Sequence, residues 1–222
     1  MIHESLKASF AALHAQRERD WPPAQLRKNV DTRAALRRAY NPSQHIQPGE
    51  IVEDFTLFDS DGREIRRDDL LKDGPAVLIF YRYGGCPACN IALPYYDRHL
   101  SPVLAAGGIP LVAVSPQKPA DPTLKTRHDL ALIVTSDPDN QLGDRLGITF
   151  EPDDKSEIKP GDSWIGSIAG TDSWALPQPT VLIIDRDARV RFVAVSPDWL
   201  DRPEADAILA ALPELTPAAA AA

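Results

Sequence analysis

An α/β fold with a central mixed β-sheet flanked by helices follows from three observations on the sequence. Apolar runs of strand length alternate with helical stretches between residues 76 and 146, the order that builds βαβ units around a mainly parallel sheet. One run, Ala76-Val77-Leu78-Ile79-Phe80-Tyr81, leads directly into Gly84-Gly85-Cys86-Pro87-Ala88-Cys89, which reads as a helix start. Near the end, apolar segments at 180–185 and 190–194 flank a turn at Arg186-Asp187-Ala188 and form an antiparallel hairpin, which makes the sheet mixed.

In chain order, Ile2, Leu6, Phe10, Leu13 and His14 recur at helical spacing, and the pattern stops before Trp21-Pro22-Pro23. A second, strongly charged helix is expected over 32–40, ended by Asn41-Pro42 and the loop Gln47-Pro48-Gly49. Residues 1–49 thus read as an N-terminal helical extension. A hairpin around Asp61-Gly62 comes next, with arms at 55–58 and 63–65. The alternating part is expected as strand 76–83, helix 87–104, strand 110–114, helix 122–130, strand 131–134 and helix 140–146. Residues 151–175 have few apolar runs and read as a long loop of the kind that often carries function. A closing helix over 203–212 completes a domain drawn at 50–214, and the alanine-rich stretch 215–222 reads as a flexible tail.

A hydrophobic content of 43% and a charged content of 25% describe an ordinary globular chain, and 222 residues can bury one good core. The formal charge of −8 argues against nucleic acid or an anionic membrane surface as a partner, since either would want clustered Lys and Arg. No apolar run reaches membrane-spanning length, and the N-terminus lacks the basic and apolar segments of a leader, so a cytoplasmic location is expected.

Cys86 and Cys89 are the only two cysteines. Pro87 suits the first helical position, which puts Cys86 at the N-cap and Cys89 one turn inside, close enough for a disulfide. The glycines Gly84 and Gly85 let the backbone turn into the helix. Free N–H groups and the helix dipole favour a thiolate at such a tip and lower the cysteine pKa, and Cys86, the outer thiol, is expected to be the better nucleophile. Both sulfurs are expected to be within reach of outside molecules. Two other readings compete with a redox pair. Free cysteines are often inert core residues, and zinc would need four ligands, which this chain does not offer beside His99 or any second Cys pair. No metal and no cofactor is therefore expected.

Several segments carry a family resemblance. Strand, Cys-Pro-x-Cys, helix, and a later proline opening a hairpin resemble the thioredoxin fold, with Pro94 at the kink of the active-site helix and Pro179 at the cis-proline that faces the redox pair. More specifically, residues 80–90, Ser136-Asp137-Pro138, Asp172-Ser173-Trp174-Ala175-Leu176-Pro177 and Asp198-Trp199-Leu200-Asp201-Arg202-Pro203-Glu204 resemble the peroxiredoxin-like branch of the alkyl hydroperoxide reductase/thiol-specific antioxidant (AhpC/TSA) family. The resemblance covers about 50–212 and implies catalytic Cys86 and Cys89, supported by Arg82, Tyr83, Gly84, Gly85, Pro87, Trp174 and Pro179. Against the peroxiredoxin pattern Pro-x-x-x-Thr-x-x-Cys, Arg82 stands at the proline, Cys86 at the threonine and Cys89 at the peroxidatic cysteine. The family's thiolate-binding arginine would fall near Asn140, where there is none; Arg82 is the substitute offered by the strand end. Many relatives carry tryptophan before the first cysteine, and Gly85 in its place implies a more open site.

The function implied is that of an antioxidant oxidoreductase that reduces hydroperoxides through the Cys86/Cys89 pair, reset by a thioredoxin- or glutaredoxin-type reductant. Two alternatives stay open. The pair could serve thiol–disulfide exchange on a disulfide substrate without peroxide, or the chain could be a non-enzymatic redox-responsive module that binds a partner through its N-terminal helices. A homodimer is expected by resemblance.

Overall fold

The computed structural model describes residues 2–118, 122–151, 165–171 and 173–212. Most of the loop expected at 151–175, Asp172 of the quoted segment and the tail from 213 onward lie outside these residues. Two helices open the chain, α1 (Leu6–Asp20) and α2 (Pro23–Ala39). The second is longer than its charge pattern suggested, because Pro23 occupies the first helical position and starts the helix instead of excluding it. The short hairpin β1 (Thr56–Phe58) and β2 (Glu64–Arg66) runs into α3 (Arg67–Leu71), one turn that the sequence reading had not marked.

The alternating part follows as expected, with boundaries shifted by a few residues: β3 (Ala76–Phe80), α4 (Pro87–Ala106), β4 (Leu111–Ser115), α5 (Pro122–His128), β5 (Ile133–Ser136) and α6 (Gln141–Arg145). Two-residue strands β6 (Thr149–Phe150) and β7 (Leu176–Pro177) pair with each other, and α7 (Ile165–Ala169) lies between them in sequence. The hairpin β8 (Thr180–Ile184) and β9 (Val190–Val195) and the helix α8 (Ala205–Ala210) close the fold.

Seven strands form one mixed sheet in the order β2-β1-β5-β4-β3-β8-β9. Only β3, β4 and β5 run parallel, joined through α4 and α5, while β8 pairs antiparallel with β3. Strand β3 is thus central, and its five residues are all buried because helices or loops cover both faces. The alternation of side chains sends Val77, Ile79 and Tyr81 into one apolar cluster with α1, α4 and α8, and Ala76, Leu78 and Phe80 into a second with α3 and α6. The first cluster contains both cysteines.

The N-terminal helices are fastened to that face by charge and by capping. Glu204 accepts hydrogen bonds from the Ser5 hydroxyl (2.9 Å), the Leu6 and Lys7 N–H groups (2.9 and 3.0 Å) and the Tyr95 hydroxyl (2.6 Å), so it caps α1 from the far end of the chain. Burial works to raise its carboxyl, but these four donors outweigh it and bring the pKa to about 2. Glu4 binds Arg98 (2.6 Å) and His99 (2.7 Å) of α4. Helix α2 is held by Arg33 and Arg37, which both reach the buried Asp198, at 3.3 and 2.6 Å.

A pH dependence follows from Glu204. Its folded-state pKa is depressed, so its contribution is complete above the ordinary value of 4.5 and is lost as pH falls from there toward about 2. The contribution is about 2 kcal/mol after allowance for solvent screening. Denaturant titrations at neutral and acid pH should therefore show Glu204→Gln less stable by about that amount at neutral pH and nearly equal to the unaltered protein once acidified. An equal deficit at both pH values would show that the carboxylate charge is not what holds α1.

Candidate functional site

The end of β3 delivers the site. Tyr81 N–H still pairs with Val114 O (2.9 Å), after which the chain leaves the sheet. Cys86 is the N-cap of α4 and Pro87 its first residue, as the Cys-Pro-x-Cys pattern requires. The loop before it is held from several directions. Gly84 N–H donates to Gln117 Oε1 (2.9 Å), and Asn90 Nδ2 donates to Gly84 O (2.7 Å) and Cys86 O (2.9 Å). Asn90 is in turn fixed by Arg127 (3.0 Å) and His128 (2.7 Å) of α5. The glycines do not act through unusual backbone angles, since neither has a positive φ. Space matters at Gly85, where a Cβ would sit 3.2 Å from the Tyr83 ring.

The two thiols interact with each other, Cys86 acting as hydrogen-bond donor to Cys89. That bond decides which carries the charge, and it reverses the expected order. The Cys86 side chain makes no capping hydrogen bond to the helix amides. It gives its proton toward Cys89 instead; this bond, and then burial, push its pKa well above the ordinary value. Burial opposes a charge on Cys89 too, but the Cys86 hydrogen bond and the Arg202 guanidinium outweigh it and hold the thiol well below its ordinary value. Arg202 Nη2 lies 3.5 Å from Cys89 Sγ, and the Arg82 main-chain N–H also donates to it. These contacts favour the charge on Cys89, with Cys86 as its proton donor.

Arg202 was not singled out from the sequence, although it stands inside the quoted segment 198–204. No local pattern marks it, and only the fold brings it 113 positions back to Cys89. Its guanidinium is held by Trp199 O (3.1 Å from Nε) and lies 5.5 Å from the Phe10 ring centre. Asn140, where the arginine was sought, instead starts α6 and donates to Ala175 O. Arg82, the substitute, lays its side chain over Trp199 at 4.6 Å and serves Cys89 through its backbone. Tyr83 is half-buried beside the pair and its O accepts from Cys86 N–H (3.1 Å). Pro179 is buried next to Arg202 and Tyr96, before β8. Trp174 is half-buried ahead of β7 and outside the cluster that encloses the sulfurs.

The expectation of an accessible tip fails. Cys86 is 2% exposed and Cys89 is 0% exposed, although their neighbours Gly85 and Pro87 face solvent. Helix α1 takes part in this enclosure: Leu6 and Phe10 belong to the cluster that contains both cysteines. Arg17, only 5% exposed, brings a further guanidinium within electrostatic reach of Cys86 and Arg82. A cleft of about 1050 Å³ lies elsewhere, between the β1–β2 edge and α6, and neither cysteine lines it. Among the described residues no group of three His, Cys, Asp or Glu side chains is placed to hold a metal ion, and no helix is long and apolar enough to cross a membrane.

The AhpC/TSA family profile matches residues 48–193, about two thirds of the chain. The protein belongs to the AhpC/TSA family. Solved structures agree on the fold. Peroxidoxin BcpB from Mycobacterium tuberculosis superposes with a TM-score of 0.56 at 24% identity, over 77% of this chain and 98% of that one. Reduced Prx3 from Vibrio vulnificus, solved with hydrogen peroxide, gives 0.57 at 22%, over 75% and 99%. Peroxiredoxin 6 of Arenicola marina gives 0.57 at 19%, over 74% and 70%. A comparison with curated protein sequences finds no match. Membership of the AhpC/TSA family makes the chain a thiol-based oxidoreductase of the peroxiredoxin type, and both α1 and Arg202 lie outside the matched stretch.

Proposed function

We propose that the protein reduces small hydroperoxides, with Cys89 attacking first and Cys86 resolving. The observation that carries this reading is the buried Cys89 sulfur, 3.5 Å from the Arg202 guanidinium and beside the Cys86 thiol, contacts that favour its thiolate. The Cys89 thiolate attacks the outer oxygen of the peroxide; an S–O bond forms as the O–O bond breaks, and Cys89 becomes a sulfenic acid. The leaving oxyanion develops its charge beside Arg202 and takes the proton of Cys86, departing as water or an alcohol.

That transfer prepares the second step. What raised the Cys86 pKa was above all its bond to the charged Cys89, and once that charge is spent the same arginines favour a Cys86 thiolate. Cys86 then attacks Cys89 Sγ, the S–O bond breaks, and the departing hydroxide takes a proton from solvent. Two electrons have passed from the sulfurs to the peroxide, leaving the Cys86–Cys89 disulfide. A dithiol reductant of the thioredoxin or glutaredoxin type returns them. Exchange with protein disulfides is less well served, because both sulfurs are covered in the reduced form.

Stopped-flow mixing of reduced protein with one equivalent of hydrogen peroxide tests the reading. Rapid loss of one thiolate followed by disulfide formation is expected; reaction with disulfides alone would replace it by the exchange reading. The same proposal includes a homodimer and a cytoplasmic site of action, checked by sedimentation and by cell fractionation.

A further inference from the structure

We propose that the helical pair α1–α2 is a lid that admits only small hydroperoxides to the reduced cysteines and is released when they join in a disulfide. This rests on the redox reading of Cys86 and Cys89 given above. One segment, 198–204, makes three connections at once. Asp198 holds α2 through Arg33 and Arg37, Arg202 holds the Cys89 sulfur, and Glu204 holds the first turn of α1. The lid and the thiolate are therefore anchored to the same seven residues.

The trigger is the charge on Cys89. Arg202 is 7% exposed, its Nη1 has no hydrogen-bond partner, and besides the two sulfurs its guanidinium meets Trp199 O, the Tyr96 side chain and the Phe10 ring, none of which carries a counter-charge. With the thiolate present the guanidinium has a counter-charge. In the disulfide both sulfurs are neutral, and a buried cation without a partner is costly. Water at Arg202 relieves that cost, and Phe10 of α1 stands over it. Two more buried guanidinium atoms without partners, Arg17 Nη1 and Arg33 Nε, belong to the lid itself and favour the same opening. The sheet does not depend on α1 for any strand pairing, so release of the lid breaks no strand pair.

The consequence is an ordered selection. With the lid docked over the reduced pair, hydrogen peroxide and other small hydroperoxides reach Cys89 by local fluctuation while bulky ones are retarded. With the lid released from the disulfide, a reductant of protein size gains the sulfurs.

Amide hydrogen exchange of the full chain, reduced and as the disulfide, tests this directly. The disulfide is prepared once with hydrogen peroxide and once with diamide. Residues 6–20 are expected to exchange at least about tenfold faster in the disulfide, with β3, β4 and β8 unchanged and protection restored by dithiothreitol. Cys86→Ser treated with diamide should show no change, and Arg202→Met as its disulfide should keep α1 protected, because the unpaired cation is gone. Equal protection of 6–20 in both redox forms, or loosening of the whole sheet, overturns the proposal. A second arm compares oxidants: cumene hydroperoxide should oxidise Cys89 at least about tenfold more slowly than hydrogen peroxide, and Glu204→Gln should narrow the gap. Equal rates overturn the size selection. If only diamide forms the disulfide, the peroxidase reading falls while the lid is still tested; if neither oxidant does, the trigger does not exist and the lid falls too.

Discussion

A Cys89→Ser protein is expected to reduce no hydrogen peroxide above background, whereas Cys86→Ser should consume one equivalent and stop. The asymmetry follows from the donors around each sulfur. Cys89 has three, from Cys86, Arg202 and the Arg82 backbone, and is the group they keep charged. A serine hydroxyl there has too high a pKa to be ionised by the same contacts, so the loss should exceed about a thousandfold. In Cys86→Ser a hydroxyl still donates to Cys89 and Arg202 is untouched, so the first step survives. The sulfenic acid then has no internal partner, and a trapped adduct with an added small thiol should appear at Cys89. An adduct at Cys86 in the Cys89→Ser protein would reverse the assignment. Peroxide consumption per chain, followed by peptide mass mapping, reads both outcomes.

Replacing Arg202 by methionine should slow the peroxide reaction by about a hundredfold to a thousandfold while leaving the fold intact. The guanidinium acts twice, stabilising the thiolate before attack and the oxyanion that leaves. Removing it removes both contributions. The pH profile should move as well. In the unaltered protein the rate holds through neutral pH and falls only when acid protonates Cys89 through its lowered pKa; in Arg202→Met that fall should move upward, toward the ordinary thiol value. Stability need not suffer, because an apolar side chain of similar length replaces a buried cation. Rates measured across pH beside denaturant titrations separate these effects: a rate loss without a shift in profile would make Arg202 a packing residue only.

The parts of this picture that are local in sequence were legible before the fold was known. The strand at 76–80, the N-cap cysteine, Pro87 at the first helical position and the final hairpin each follow from patterns a few residues long. Those that depend on distant contacts were not. Nothing near Cys89 announces Arg202, because the rest of α4 and every element from β4 to β9 separate them in the chain. The preference for charge on Cys89 was hidden for a related reason: a helix tip favours whichever sulfur its amides reach, but the Cys86 side chain makes no hydrogen bond to them and donates to Cys89 instead. The closed site was missed because α1 was read as an appendage, whereas Leu6 and Phe10 occupy the same core as the cysteines. Glu204, almost two hundred positions from Ser5, holds it there.

The central claim is that the reduced pair carries one charge and that Cys89 bears it. Ultraviolet absorbance of the thiolate, titrated from acid to neutral pH in the reduced protein and in each single serine variant, measures this directly. One thiolate per chain is expected at neutral pH in the unaltered protein and in Cys86→Ser, and none in Cys89→Ser. A thiolate that persists in Cys89→Ser and vanishes in Cys86→Ser would contradict the account.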